Sequence, residues 1–105
     1  ILMQEESALP ITEIRVDGGA AMNNLLMQFQ SDQLNCSVNR PENIESTAIG
    51  AAYLSGLHAG IWPTFDSIKP LRKVDRFFSP NQSLETSNRM YSRWKTAVEA
   101  CRLFK

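Results

Sequence analysis

Net charge is the first thing this chain lacks. Eleven Lys and Arg residues balance eleven Asp and Glu, giving a formal charge of zero at pH 7. No long-range field draws it to polyanions, so no nucleic acid partner is expected. Long hydrophobic runs are also missing. None approaches the ~18 residues of a membrane span, and the N-terminus lacks the basic-then-apolar order of a signal peptide. No membrane insertion is expected. One histidine (His58) and two distant cysteines (Cys36 and Cys101) are too few for a metal cluster or a disulfide framework. That scarcity predicts no metal site in the chain and a reducing, cytoplasmic setting. The chain also has no paired carboxylates, no Walker loop and no nucleophile–base–orienter set, so no catalytic residue is assigned.

What is present is an ordinary globular mixture of 105 residues, 43% hydrophobic and 21% charged. That is one small domain or a piece of a larger one. The opening Ile1-Leu2-Met3-Gln4-Glu5-Glu6 carries neither an initiator methionine nor a cap residue. It is expected to be cut from a longer chain.

Residues 1–8 read as the end of a helix, stopped by Leu9-Pro10 because a residue before proline avoids the helical region. Residues 11–16 are β-rich, with Thr12, Ile14 and Val16 on one face, and Asp17-Gly18-Gly19 ends that strand. A helical pattern follows from Ala20 to about Leu34, with Leu25, Leu26 and Phe29 and Gln30 or Gln33 on one stripe. Asn35 suits its exit. Residues 36–40 form a second strand before Pro41. Ser46 and Thr47 are both good N-caps for a helix over 47–60 that is rich in small residues. There Gly50 and Gly56 only lower helix propensity unless a neighbour packs closely, and Gly60 fits the C′ position.

Residues 63–84 read as an irregular connection, in which Val74–Phe78 is a candidate extended piece. Residues 85–104 read as an amphipathic helix with Met90, Tyr91, Trp94, Ala97, Val98 and Cys101 as its apolar stripe. Cys101 is expected in the core, and Trp62 and Trp94 as packing anchors. The order strand, helix, strand, helix over 11–62 makes a βαβα unit with two parallel strands and a right-handed crossover.

The stretch Val16-Asp17-Gly18-Gly19-Ala20-Ala21-Met22-Asn23-Asn24 carries most of the functional signal. It lies where a strand's carboxyl end meets a helix, the place where open α/β sheets bind ligands. Paired glycines let a backbone approach a ligand, and the following helix start favours phosphate. Asn23 offers a donor and an acceptor to a ribose or an adenine edge. On spacing alone, a tight turn that needs glycine for its dihedrals is the simpler reading. His58 has no partner in the sequence, and Cys36 has nothing local to lower its pKa. Asp17 reads as a turn residue rather than a catalytic carboxylate.

Four runs of residues carry a resemblance: 14–34, from Ile14-Arg-Val-Asp-Gly-Gly-Ala to Leu34; Val38-Asn-Arg-Pro41; Ser46-Thr-Ala-Ile-Gly-Ala-Ala-Tyr-Leu-Ser-Gly-Leu57; and Tyr91-Ser-Arg-Trp94-Lys-Thr-Ala-Val98. Together with Gly60-Ile-Trp62 they resemble the C-terminal lobe of the FGGY family of carbohydrate kinases. The resemblance implies part of a ribonuclease-H-like lobe of the actin/Hsp70/hexokinase type. It implies ATP or ADP with Mg2+ as the nucleotide, its metal ligands outside this segment. The implied reaction is transfer of the γ-phosphoryl group to glycerol, giving glycerol 3-phosphate. Residues 14–23 would be the adenosine-binding motif, with Gly18 in its turn, Gly19 against the nucleotide and Asn23 against the adenosine. The family's catalytic aspartate and its substrate-binding residues have no counterpart here, so the segment alone is expected to be inactive. A homo-oligomer is expected. The segment before the last helix, 79–86, matches too loosely to carry over the regulatory docking known in some members. Two alternatives stay open: a sugar kinase of the same family acting on another substrate such as xylulose or gluconate, and a non-catalytic interaction module.

Overall fold

The computed structural model describes residues 2–104. A short helix α1 (Leu2–Ser7) ends where Ala8 turns to a φ of 56° ahead of Leu9-Pro10. Strand β1 (Glu13–Arg15) is shorter than the run over 11–16 predicts. It pairs in parallel with β2 (Ser37–Pro41), setting Ile14 beside Val38. Hydrogen bonds from Ser37 N to Thr12 O (3.2 Å) and from Val16 N to Asn39 O (3.1 Å) continue the pairing beyond both ends of β1.

The crossover between these strands starts differently from the sequence expectation. Gly19–Met22 form a 3₁₀ turn, and helix α2 begins only at Asn24 (Asn24–Leu34). Asn23 is the reason. Its backbone is extended and its side chain accepts the Leu26 N–H at 3.1 Å, so it caps α2 instead of sitting inside it. The helix exits, as expected, through Asn35 in the left-handed region. Its buried face is also different: Met27 and Ser31 are buried, whereas Leu25 and Phe29 are 81% and 47% exposed. Ser31 fits there because its Oγ donates to Cys36 O (2.8 Å) or Phe78 O (3.0 Å), and its small size lets α2 approach the sheet.

Val74–Phe78 is a full strand, β3, antiparallel to β2, with Val38 opposite Phe78 and Asn39 opposite Phe77. The sheet order is β1-β2-β3. Its irregularity falls between Arg40 and Pro41, where proline ends the regular ladder. Ala21, Met27, Val38 and Phe78 form the core, with Val16, Leu26 and Ile44 half-buried against it.

Helix α3 (Ser46–His58) follows Glu45 without a side-chain cap, so neither Ser46 nor Thr47 acts as its N-cap. Its far end is a Schellman motif: Ile61 N donates to Gly56 O (2.9 Å) and Gly60 N to Leu57 O (3.2 Å), with Gly60 at φ 80°. That turn folds Trp62 back onto the helix, edge-on to Tyr53 with ring centroids 5.5 Å apart. Trp62 is thus a local anchor, as expected.

The last helix, α4 (Leu84–Leu103), is capped by Ser83, which accepts Thr86 N–H. Its first turns dock on α2: Ser87 Oγ donates to Asp32 O and Gln33 Nε2 donates to Ser87 O, both at 2.7 Å. Beyond Met90 it projects. Trp94 is 65% exposed and Cys101 is also exposed, so neither is a core residue. The sequence stripe is real, but among the described residues no element lies against it. The radius of gyration, 18.0 Å, compares with about 13 Å for a compact domain of this length.

Candidate functional site

The carboxyl ends of β1 and β2 lie side by side because the strands are parallel. The turn after β1 therefore meets the connection after β2. Gly18 N donates to Ile44 O at 2.7 Å, and Gly18 O accepts Ala21 N at 3.1 Å, which closes the 3₁₀ turn. Gly18 has φ 85° and ψ 169°, a region only glycine occupies readily. Gly19 has no such constraint, and a Cβ built on it would meet nothing within 4 Å. The two glycines thus differ: Gly18 is needed for the bend, while Gly19 leaves open space above the backbone.

Asn23 is exposed. Its Oδ1 is committed to the Leu26 N–H, which leaves the side-chain amide nitrogen as the group free to meet a ligand. The cap also uses one of the helix N–H groups that would otherwise attract an anion. Asp17 is exposed beside this turn. Gly18, Gly19 and Asn23 lie on one stretch of chain, but Asn23 ends the turn as a helix cap where the sequence pattern sets it inside a helix from Ala20.

Sequence reasoning missed Arg40, which braces that loop from below. Arg40 is 5% exposed. One guanidinium nitrogen donates to Ala21 O (3.0 Å) and Asn24 Oδ1 (2.8 Å), and the others meet Asp75 Oδ2 at 2.8 and 2.9 Å. Its guanidinium carbon sits 5.2 Å from the centroid of the Phe78 ring. Asn39, also buried, accepts from Arg72 (2.7 Å) and donates to Glu13 (3.2 Å). The signal available in the sequence was position: Arg40-Pro41 closes the strand parallel to the one that ends in Asp17-Gly18.

A concavity lies to one side of this loop. A groove of about 340 Å³ is lined by Pro41, Asn43, Ser46, Ile49, Tyr53 and Arg72 among others, and excludes Gly18, Gly19 and Asn23. His58 is exposed. Cys36 is buried, and burial pushes its thiol up from its ordinary range. Among the described residues no three His, Cys, Asp or Glu side chains gather to hold a metal.

Residues 2–59 match the C-terminal domain of the FGGY family of carbohydrate kinases. The chain belongs to that family. The matched stretch runs from α1 to the end of α3 and includes the Gly18–Asn23 loop and Arg40. The parallel β1–α2–β2–α3 succession is that of a ribonuclease-H-like kinase lobe.

Among its relatives, the glycerol kinase of Ligilactobacillus salivarius is 50% identical over 103 residues, which is 98% of this chain and 20% of that protein. The glycerol kinase of Vibrio campbellii is 50% identical over 97 residues, covering 92% of this chain and 19% of that protein. The crystal structure of Plasmodium falciparum glycerol kinase with ADP superposes with a TM-score of 0.80 at 33% identity, over 93% of this chain and 20% of that one. The FGGY segment described here therefore spans about a fifth of the length of the relatives it matches. Among its described residues no helix is long and apolar enough to cross a membrane.

Proposed function

We propose that this chain is the C-terminal part of a glycerol kinase and forms the adenosine-facing wall of its ATP cleft. The observation that carries this reading is the likeness, over 93% of the chain, to a glycerol kinase solved with ADP. Identities of 50% to two bacterial glycerol kinases support glycerol over a sugar as the acceptor. The loop geometry fits a nucleotide. Gly19 leaves open space beside the backbone, and Asn23 has an amide donor to spare.

In the proposed reaction a glycerol hydroxyl oxygen attacks the γ-phosphorus of ATP. The bond from that phosphorus to the bridging β–γ oxygen breaks, and the hydroxyl proton passes to a base. The products are glycerol 3-phosphate and ADP. Catalysis of this kind is mostly positioning and charge stabilisation. This chain's share is positioning: Gly18 sets the bend, Gly19 admits the nucleotide, and Asn23 donates to its adenosine part. The base and the glycerol-binding groups belong to the rest of the enzyme, and Asp17 is assigned neither role. Mg2+ would neutralise triphosphate charge, and no ligand for it is assigned to this chain. The reading places the enzyme in the cytoplasm.

The test is nucleotide binding by the complete enzyme. Gly19→Val puts a branched side chain into the open space, and ADP affinity should fall about tenfold or more. Unchanged ADP affinity in a folded variant would place the nucleotide elsewhere. Phosphorylation assays with glycerol, xylulose and gluconate separate the substrate readings.

A further inference from the structure

We propose that Arg40 and Asp75 are positioning residues that hold the nucleotide loop in its binding shape. The inference rests on the reading of Gly18–Asn23 as the adenosine-binding loop, and adds how that loop is kept in register.

A buried arginine on a strand needs several acceptors to offset its desolvation. Arg40 has three on three different elements: Ala21 O in the 3₁₀ turn, Asn24 Oδ1 in the first turn of α2, and the Asp75 carboxylate on β3. The first two acceptors flank Asn23. One guanidinium nitrogen thus holds the backbone before, and a side chain after, the residue whose amide would meet the adenosine. A guanidinium is planar and presents its donors in a fixed fork, so these contacts define an orientation as well as a distance. Asp75 meets two nitrogens on the other side of the fork and Phe78 lies against it, so turning the guanidinium would break these contacts. The clamp ties the loop to β3, a strand outside the βαβα unit.

A lysine at position 40 keeps the charge but cannot reach all three acceptors in one geometry. The loop would then relax, and the entropy of ordering it would be charged to nucleotide binding. The test is steady-state kinetics on the complete kinase with Arg40→Lys, Asp75→Asn and Asn24→Ala. The last two alter exposed or half-exposed partners and keep the buried guanidinium, so they report even if Arg40→Lys fails to fold. We expect the KM for ATP to rise about tenfold in Arg40→Lys and about three- to tenfold in Asp75→Asn and Asn24→Ala, with the KM for glycerol unchanged. A purely structural role would lower kcat through loss of active enzyme and leave both KM values alone. That result in the folded variants would overturn the proposal. Gly19→Val run in parallel keeps the two ideas apart. If it raises the KM for ATP while the clamp variants do not, only the clamp fails. If it too leaves the KM for ATP unchanged, the loop is not the nucleotide site.

Discussion

Gly56 lies directly under the indole of Trp62, so closely that a Cβ at Gly56 would overlap the ring at Cζ3 and Cε3. The Schellman turn at Gly60 brings the two together, six residues apart in sequence. The contact is local, so it travels with the segment into any longer chain. Gly56→Ala should therefore destabilise the fold by about 1–3 kcal/mol, although alanine is the better helix former. Thermal melting of the full-length protein checks it, and a melting point equal to or above wild type would show that Trp62 can move aside. Gly50, the other helical glycine, meets nothing within 4 Å.

The two turn glycines should separate by readout. Gly18→Ala forces a side chain into a glycine-only region and should cost about 1–3 kcal/mol of stability. Gly19→Ala should leave stability near wild type, because its Cβ points into open space. Paired melts of the two variants decide this, and equal losses would contradict the assignment of separate roles.

Thiol chemistry gives a direct test of packing. Cys36 is buried with its thiol pKa raised, and Cys101 is exposed on α4. Because only the thiolate reacts, burial slows Cys36 twice, through access and through ionisation. In the folded chain at pH 8, alkylation should label Cys101 first and Cys36 only after denaturant is added. Equal labelling rates without denaturant would mean that α2 does not cover the end of β2. The raised pKa also carries a sign for stability. The unfolded state loses this proton first as pH rises, so Cys36 makes folding less favourable at alkaline pH, between its unfolded and folded pKa values.

Much of the fold was legible because local rules agreed with tertiary packing. Asn35, Gly60 and Leu9-Pro10 mark ends that backbone dihedrals alone dictate, and the parallel pairing of β1 and β2 follows from the helix between them. Legibility failed where a side chain overrode periodicity. Asn23 captured the Leu26 N–H and moved the start of α2 by four residues from the expected Ala20. Ser31 and Arg40 are polar residues inside the core, tolerated because each is hydrogen-bonded, and no apolar stripe predicts them. Trp94 and Cys101 show the converse: an apolar face is readable in sequence, but what covers it is not. At the candidate site the loop was legible from Gly18, Gly19 and Asn23, whereas its brace on a third strand needed the fold.

The open shape makes a prediction about the chain by itself. Trp94 is 65% exposed, Leu54 61% and Ile61 69%, and β1 ends the sheet with an unpaired edge among the described residues. Exposed apolar faces and a free strand edge drive association. Residues 1–105 alone should self-associate and show no phosphorylation of glycerol. Light scattering and a coupled ADP-release assay test both. A concentration-independent monomer with a cooperative melt would contradict the first, and turnover free of contaminating full-length enzyme the second.

The most direct test of the nucleotide reading is Asn23→Asp in the complete kinase. Aspartate keeps a side-chain oxygen to cap α2, so the helix start should survive, but it replaces the amide donor with a charged acceptor. The KM for ATP measured against wild type, at saturating glycerol and with the melting point monitored, reads whether that side chain faces the nucleotide. The account predicts about a tenfold rise in the KM for ATP with stability and the KM for glycerol unchanged. An unchanged KM for ATP would mean that Asn23 is a helix cap and nothing more.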